Sequence, residues 1–295
     1  MIQQILANSI ISAATYGIVG IGFSLIFSTV RYFHFAYGAV IALGAYFVLA
    51  LTSSGVPLWV SVIASVVACG GIGIAMDVAL YRPLRARQTS ALGMLLASLG
   101  LYVVLQNSIS LAFGDDAKAL RPGTLREGLA ILGARVTWVQ LVMIGTAILL
   151  AIILYLVQRR TRTGKALRAV ADDAELAEIS GIRSKLVIMI AFAVGSAIAG
   201  LAGILVALDI DMMPTMGLRL LMMGIVAVVV GGAYNIGGVL LGALVLGLGQ
   251  HIAAWTIGAR WQDSIAFLLL ILVLFLRPQG ILGQGFSATP GRGVS

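Results

Sequence analysis

Long uninterrupted apolar runs, set apart by short polar stretches, make up most of this chain. They fall at about residues 5–29, 36–52, 58–80, 91–113, 138–157 and 187–208, with a last, shorter run at 264–276. Roughly 20 helical residues span about 30 Å of hydrocarbon, so the longer runs are predicted membrane-crossing helices. None alternates apolar and polar residues as a barrel strand does, and strands are not expected. The stretch 220–254 is too long for one ordinary crossing. Its centre, Gly231-Gly232-Ala233-Tyr234-Asn235-Ile236-Gly237-Gly238, combines helix breakers with a polar residue. Two short helices meeting at a break inside the membrane fit it, and so does a tight turn at the membrane surface. The predicted fold class is an all-α integral membrane protein, a polytopic helical bundle of about eight or nine spans including the glycine-broken segment, in a single domain over 1–295.

Composition narrows the class further. Hydrophobic residues are 60% of the 295 and charged residues only 10%, with a mean hydropathy of +1.07. Soluble globular chains are about a quarter charged, so this one lacks the polar residues to cover a water-soluble fold, and disorder is excluded for the same reason. The start is not expected to be a cleavable signal peptide: the first basic residue is Arg31, and the apolar run before it is too long. Thirty-six glycines against 6 prolines suit close helix packing. The single cysteine, Cys69, excludes an intrachain disulfide or a cysteine-cluster metal site.

Charge placement predicts orientation. Loop 81–90 carries Arg82, Arg85 and Arg87 with no acid, and loop 158–186 carries seven basic residues. By the positive-inside rule both are cytoplasmic, while loops 114–137 and 209–218 face outward. Nine crossings then leave the N-terminus outside and the C-terminus inside. The net charge of +8 is mostly this asymmetry rather than a nucleic-acid footprint.

Several apparent motifs carry no chemistry. Gly17, Gly20 and Gly22, like Gly70, Gly71 and Gly73, sit inside apolar spans without the strand and acid of a dinucleotide site. There is no Gly-Lys-Ser/Thr phosphate loop, so no ATPase site is expected in this chain. His34 and His251 lie far apart without carboxylates, so no metal site is expected, and no nucleophilic triad is evident. Asp77, near Arg82, is expected to pair or snorkel rather than relay protons.

Three features carry more. Ser98, Tyr102 and Gln106 recur at four-residue steps on one span, as Ser12, Tyr16, Gly20 and Ser24 do on the first. Such rows face the bundle interior, as interhelical glue or as the lining of a translocation path. Gly195, Ala199 and Gly203, with Ser196 and Gly200 beside them and then Gly238 and Gly242, give the small-residue spacing of close helix contacts, within the chain or against a partner. In loop 158–186, Asp172-Asp173-Ala174-Glu175-Leu176-Ala177-Glu178-Ile179-Ser180-Gly181 reads as a two-turn helix. Asp172 and Glu175 have capping-box-like spacing, acids fill the first turn, and Gly181 suits the left-handed end. This segment is a docking element for a soluble partner, or else a solvated loop.

The stretch Arg162-Thr163-Gly164-Lys165-Ala166-Leu167-Arg168-Ala169-Val170-Ala171-Asp172-Asp173, followed by Ala177, Gly181-Ile182 and Gly200-Leu201-Ala202-Gly203, resembles the coupling region of bacterial ABC importer permeases. Among these the chain is most similar to the branched-chain amino acid (Liv-type) permeases. Gly22-Phe23-Ser24-Leu25-Ile26-Phe27, Phe35-Ala36-Tyr37-Gly38, Leu43-Gly44-Ala45-Tyr46, Gly231-Gly232, Gly237-Gly238 and Arg277-Pro278-Gln279-Gly280 extend the resemblance over nearly the whole length. Where the family usually has Asn-Phe-Ala-His-Gly, this chain has His34-Phe35-Ala36-Tyr37-Gly38, so no substrate role carries over there.

The resemblance implies a permease subunit, with no covalent chemistry of its own, in the bacterial inner membrane. Its implied partners are a second related permease, two cytoplasmic ATP-binding subunits and a periplasmic solute-binding protein. ATP is then bound by the partner subunits, and no cofactor is expected here. The solute is a branched-chain or other neutral amino acid; urea and short amides are the alternatives within the family. An ion-coupled secondary transporter is the alternative from another class, and the near absence of acids inside the spans weighs against it. Energy would enter through residues 172–181: Leu176, Ala177 and Ile179 as apolar contacts to the ATPase, Glu175 and Glu178 at the rim.

Overall fold

The structure is a computed structural model that describes residues 2–120, 128–131 and 133–283. Its helices are α1 (Ile2–Val30), α2 (Ala36–Ser53), α3 (Leu58–Met76), α4 (Arg82–Ala86), α5 (Ala91–Phe113), α6 (Trp138–Arg160), α7 (Arg162–Asp172), α8 (Ala174–Ile179), α9 (Ser184–Asp209), α10 (Met216–Gly231), α11 (Ile236–Thr256) and α12 (Gln262–Leu276). A π-helical turn at Asp77–Tyr81 fuses α3 to α4. Among the described residues, eight segments are long and apolar enough to cross a membrane; α10, at 16 residues, is a ninth, shorter apolar helix. The chain is a multi-pass membrane protein.

Two expectations about secondary structure need correction. Within the polar loop after α5, β1 (Leu129–Ile131) and β2 (Ala134–Val136) pair antiparallel. The hairpin lies over the start of α1, where the Gln4 side chain bonds both the backbone N–H and the carbonyl of Arg135. A polar loop outside the apolar runs still has to bond its backbone, and a short ladder does so. Arg121, Arg126 and Glu127 of loop 114–137 lie outside the described residues. In the glycine-broken stretch only α10 is short, because α11 runs for 21 residues.

The centre of the bundle is built from α1, α2, α9, α10 and α11, while α3, α5, α6 and α12 turn most of their side chains outward. Glycines set the central distances. A Cβ at Gly203 would overlap the Ile41 carbonyl oxygen of α2, and one at Gly44 would overlap the backbone of Gly200. Gly195 meets α1 at Ile26 and Gly22 in the same way, and Gly242 meets Ala227 and Gly231 of α10. The small-residue spacing is thus used for packing within the chain. In lipid no hydrophobic push joins helices, so van der Waals contact at this range is what holds them together.

Two non-helical segments enter the bundle. Residues 31–35 return inward from the end of α1, so that α2 begins with its Ala36 N–H on the Ser98 hydroxyl of α5 (3.1 Å) and its Tyr37 hydroxyl donating to the Val19 carbonyl of α1 (3.1 Å). Residues 210–215 return likewise after α9. Met212 is buried among Ala42, Ala45, Tyr46 and Ile109, and its backbone exchanges hydrogen bonds with Lys118. Gly217, just inside α10, packs on Gly38.

Candidate functional site: a coupling face and a cavity

The basic end of the bundle carries α7 and α8. Thr161 ends α6 and caps α7: its hydroxyl donates to the Val157 carbonyl (2.7 Å) and accepts from the Gly164 N–H (3.0 Å). Gly164 permits the sharp turn, because a Cβ there would overlap the Val157 carbonyl oxygen. Leu167, Val170 and Ala171 then bury one face of α7 against the spans. This helix was not expected from the sequence, although Leu167, Val170 and Ala171 at three- and four-residue spacing were its signal. Arg31 fastens it to α1–α2, donating to the carbonyls of Ala171 (2.6 Å) and Asp172 (2.7 Å) at the C-terminal end of α7, where a helix favours a cation.

Asp172 therefore ends α7 and does not start the next helix, which corrects the expected capping. Asp173 is the N-cap of α8, accepting from the N–H groups of Glu175 and Leu176 at 2.9 Å. At the other end Ile182 N–H bonds the Ala177 carbonyl and Gly181 N–H bonds the Glu178 carbonyl, with Gly181 at φ +85°. That pattern is a Schellman stop. A second correction concerns Ala177, expected to face outward. It is 4% exposed and packs into the main core, whereas Leu176 and Ile179 are 65% and 82% exposed. In a helix capped at both ends, 176 and 179 share one face and 177 turns about 100° away. The Ser184 hydroxyl, donating to the Ala174 carbonyl, ties α8 to α9.

At the helix break, Gly232 takes φ +108° and Asn235 caps α11, accepting from Gly237 N–H (3.0 Å) and Gly238 N–H (3.4 Å). Gly231 and Gly238 are in backbone contact, whereas a Cβ on Gly237 would meet only the Asn235 side chain. The last carbonyls of α10 find their donors in a distant segment: Ile281 N–H bonds Val230 and Leu282 N–H bonds Gly231. The Arg277-Pro278-Gln279-Gly280 turn, with Gly280 at φ +81°, brings that segment back onto the break.

The polar rows hold helices together. Ser98 is fully buried under the start of α2, Tyr102 is buried beside it, and Gln106 bonds Ser110 on its own helix. On α1, Ser12 bonds His251, Tyr16 donates to Gln250 (2.8 Å), and the Ser24 hydroxyl donates to the Ala233 carbonyl (2.5 Å) at the break. Of these rows, Ser12 and Tyr16 line the cavity described next. Asp77 is fully buried and pairs with Arg85, as expected for an acid near the basic end.

At the opposite end an open cavity of about 440 Å³ lies between α1, α6, α9, α10 and the 210–215 segment. Its polar lining includes Ser12, Thr15, Tyr16, Asp209, Asp211 and Arg219, and its apolar lining includes Met143, Val206 and Met223. Asp209 accepts from Thr137 (3.4 Å) and Gln140 (3.3 Å), and Arg219 pairs with Asp263 of α12 at 3.0 Å. Nothing in the sequence brings these groups together; the signal was only that two acids precede α10 and an arginine stands in its first turn, in an otherwise uncharged region.

A family model described as the branched-chain amino acid transport system permease component matches residues 5–274. The chain belongs to this family. Among its relatives are the high-affinity branched-chain amino acid transport system permease proteins BraD of Pseudomonas aeruginosa (30% identical over 295 residues) and LivH of Escherichia coli K12 (30% over 297). Each alignment covers 95% of this chain and 95% of the relative. A solved structure, PsaBC from Streptococcus pneumoniae in complex with Fab, matches over 92% of this permease and 91% of that chain, with a TM-score of 0.54 and 11% identity, which shows a shared fold.

Proposed function

We propose that this chain is the permease subunit of an ATP-driven importer that moves branched-chain or other neutral amino acids inward across the bacterial inner membrane. The observation that carries this reading is the 30% identity, over 95% of both chains, to permeases named for branched-chain amino acids. The chain has no phosphate loop, so ATP binds to two cytoplasmic partner subunits. A second related permease completes the membrane unit, and a periplasmic binding protein delivers the solute.

The end bearing Arg82, Arg85, Arg87 and α7–α8 faces the cytoplasm, where basic loops concentrate. There Leu176 and Ile179 dock on the ATPase, with Glu175 and Glu178 at the rim. Movement of α8 passes through its buried Ala177 and through the Arg31 bonds to the end of α7 into α1 and α2. Residues 158–186 thus form a coupling loop within one permease domain.

The test is reconstitution of the complete transporter in vesicles with radiolabelled leucine and urea. ATP-dependent leucine accumulation that follows neither a proton nor a sodium gradient is expected. Accumulation of urea alone, or leucine uptake driven by an ion gradient without ATP, would overturn the reading.

A further inference from the structure

We infer that the cavity between α1, α6, α9 and α10 is a staging site for the zwitterionic head of the transported amino acid, with Arg219 receiving the α-carboxylate and Asp209 and Asp211 the α-ammonium. The assignment rests on the amino-acid reading above and adds to it the residues that recognise the solute.

The volume of about 440 Å³ lies within the roughly 300–1,000 Å³ range of small-molecule sites. Charges of both signs line it, which suits a molecule carrying one of each, and they sit on a stretch of chain, Asp209 to Arg219, that is otherwise uncharged. Asp209 and Arg219 retain capacity for a ligand. Asp209 accepts two long bonds, and a carboxylate offers about four lone-pair sites. Arg219 uses one nitrogen on Asp263, out of a guanidinium with five N–H donors. Both partners of that pair are well exposed, and such pairs contribute only about 0–1 kcal/mol, so a ligand carboxylate can share or displace Asp263.

The lining is also graded along the bundle. Val206 lies about one helical turn before Asp209 at the end of α9. Met143 lies about a turn after Gln140 on α6, and Met223 a turn after Arg219 on α10. Each apolar residue is thus deeper in the bundle than its charged or polar neighbour. A head group held near the mouth points its side chain at methionine and valine. Methionine is unbranched and adapts its shape, so one pocket accepts leucine, isoleucine and valine.

The experiment uses the complete transporter with Met213→Cys in this chain. Met213 lines the cavity and is half exposed, whereas the native Cys69 is fully buried and stays silent. Maleimide labelling of this chain is followed with leucine, leucinamide (no carboxylate) or 4-methylpentanoate (no ammonium). Leucine should slow labelling about tenfold and the two analogues should not, since the loss of one charged contact worth about 1.4 kcal/mol is a tenfold change. Arg219→Gln, in a background without Met213→Cys, should leave recovery of the complex unchanged and lower leucine uptake about tenfold. Equal protection by leucinamide, or unchanged uptake by the Arg219→Gln transporter, would overturn the inference while the importer reading stands. A wild-type complex that hydrolyses ATP but accumulates no amino acid would overturn that reading and the inference with it.

Discussion

Asp77 and Arg85 form the buried ion pair of the basic end, one helical turn and a π turn apart on the α3–α4 segment. Asp77 is fully buried while about a quarter of the Arg85 side chain reaches solvent, so the two residues are not equivalent to lose. Removing the arginine strands a carboxylate in a medium that cannot solvate it, which costs about 3–5 kcal/mol. Removing both charges leaves no stranded group. Arg85→Ala is therefore expected to lower the melting temperature of the detergent-purified permease sharply, and Asp77→Leu added to it should restore most of the loss. Thermal unfolding of the single and double variants checks this, and additive losses would show that the pair is not coupled. His34 and Tyr37 answer to the same logic: each is wholly buried, with His34 Nδ1 2.8 Å from the Tyr81 hydroxyl and Tyr37 donating to Val19, so both fix the start of α2.

At the scale of elements, the two faces of α8 make opposite predictions. Leu176→Glu with Ile179→Glu puts charge on an exposed surface, so the permease should insert and melt normally yet lose its ATPase on co-purification. Ala177→Arg forces a long cation into the chain's own core, at several kcal/mol, so its first effect should be loss of folded permease. Recovery of folded protein separates the two. Glycines at the break divide similarly. Gly231→Ala sets a methyl into the backbone of Gly238 and should abolish folding and transport, whereas Gly237→Ala meets one movable side chain and should retain most uptake. Uptake in vesicles by each single variant is the measure, and equal behaviour at 231 and 237 would contradict the packing.

For the whole molecule, the turn at Arg277-Pro278-Gln279-Gly280 joins the end of α12 to the break between α10 and α11. Ending the chain at Leu276 removes the donors to Val230 and Gly231, and an unsatisfied buried carbonyl costs about 1–3 kcal/mol. The truncated permease should melt well below the full chain, a shift readable by thermal unfolding in detergent. The other long-range tie runs from the basic end inward. Arg31 and Ala177 connect α7 and α8 to α1, α2 and α9, so a displacement of α7 and α8 would reach helices that line the cavity at the opposite end.

The spans were legible in the chain itself, because a bilayer demands long apolar helices with every backbone group bonded internally, and length plus hydropathy report that demand directly. The same holds for the basic loops, for the break at 231–238, and for Gly181, whose left-handed conformation only a residue without Cβ adopts freely. What residue spacing left open was decided by three-dimensional packing. It turned Ala177 inward and moved the cap of α8 from Asp172 to Asp173, since Arg31, 141 residues away, completes α7 at 172. It supplied the donors for α10 from residues 281 and 282, and it gathered Asp209, Asp211 and Arg219 with Tyr16 around one cavity. Hydrophobicity is summed along the chain and can be read there. A cap, a buried face or a cavity depends on which distant backbone comes close, and that is fixed only when the glycine-lined helices have packed.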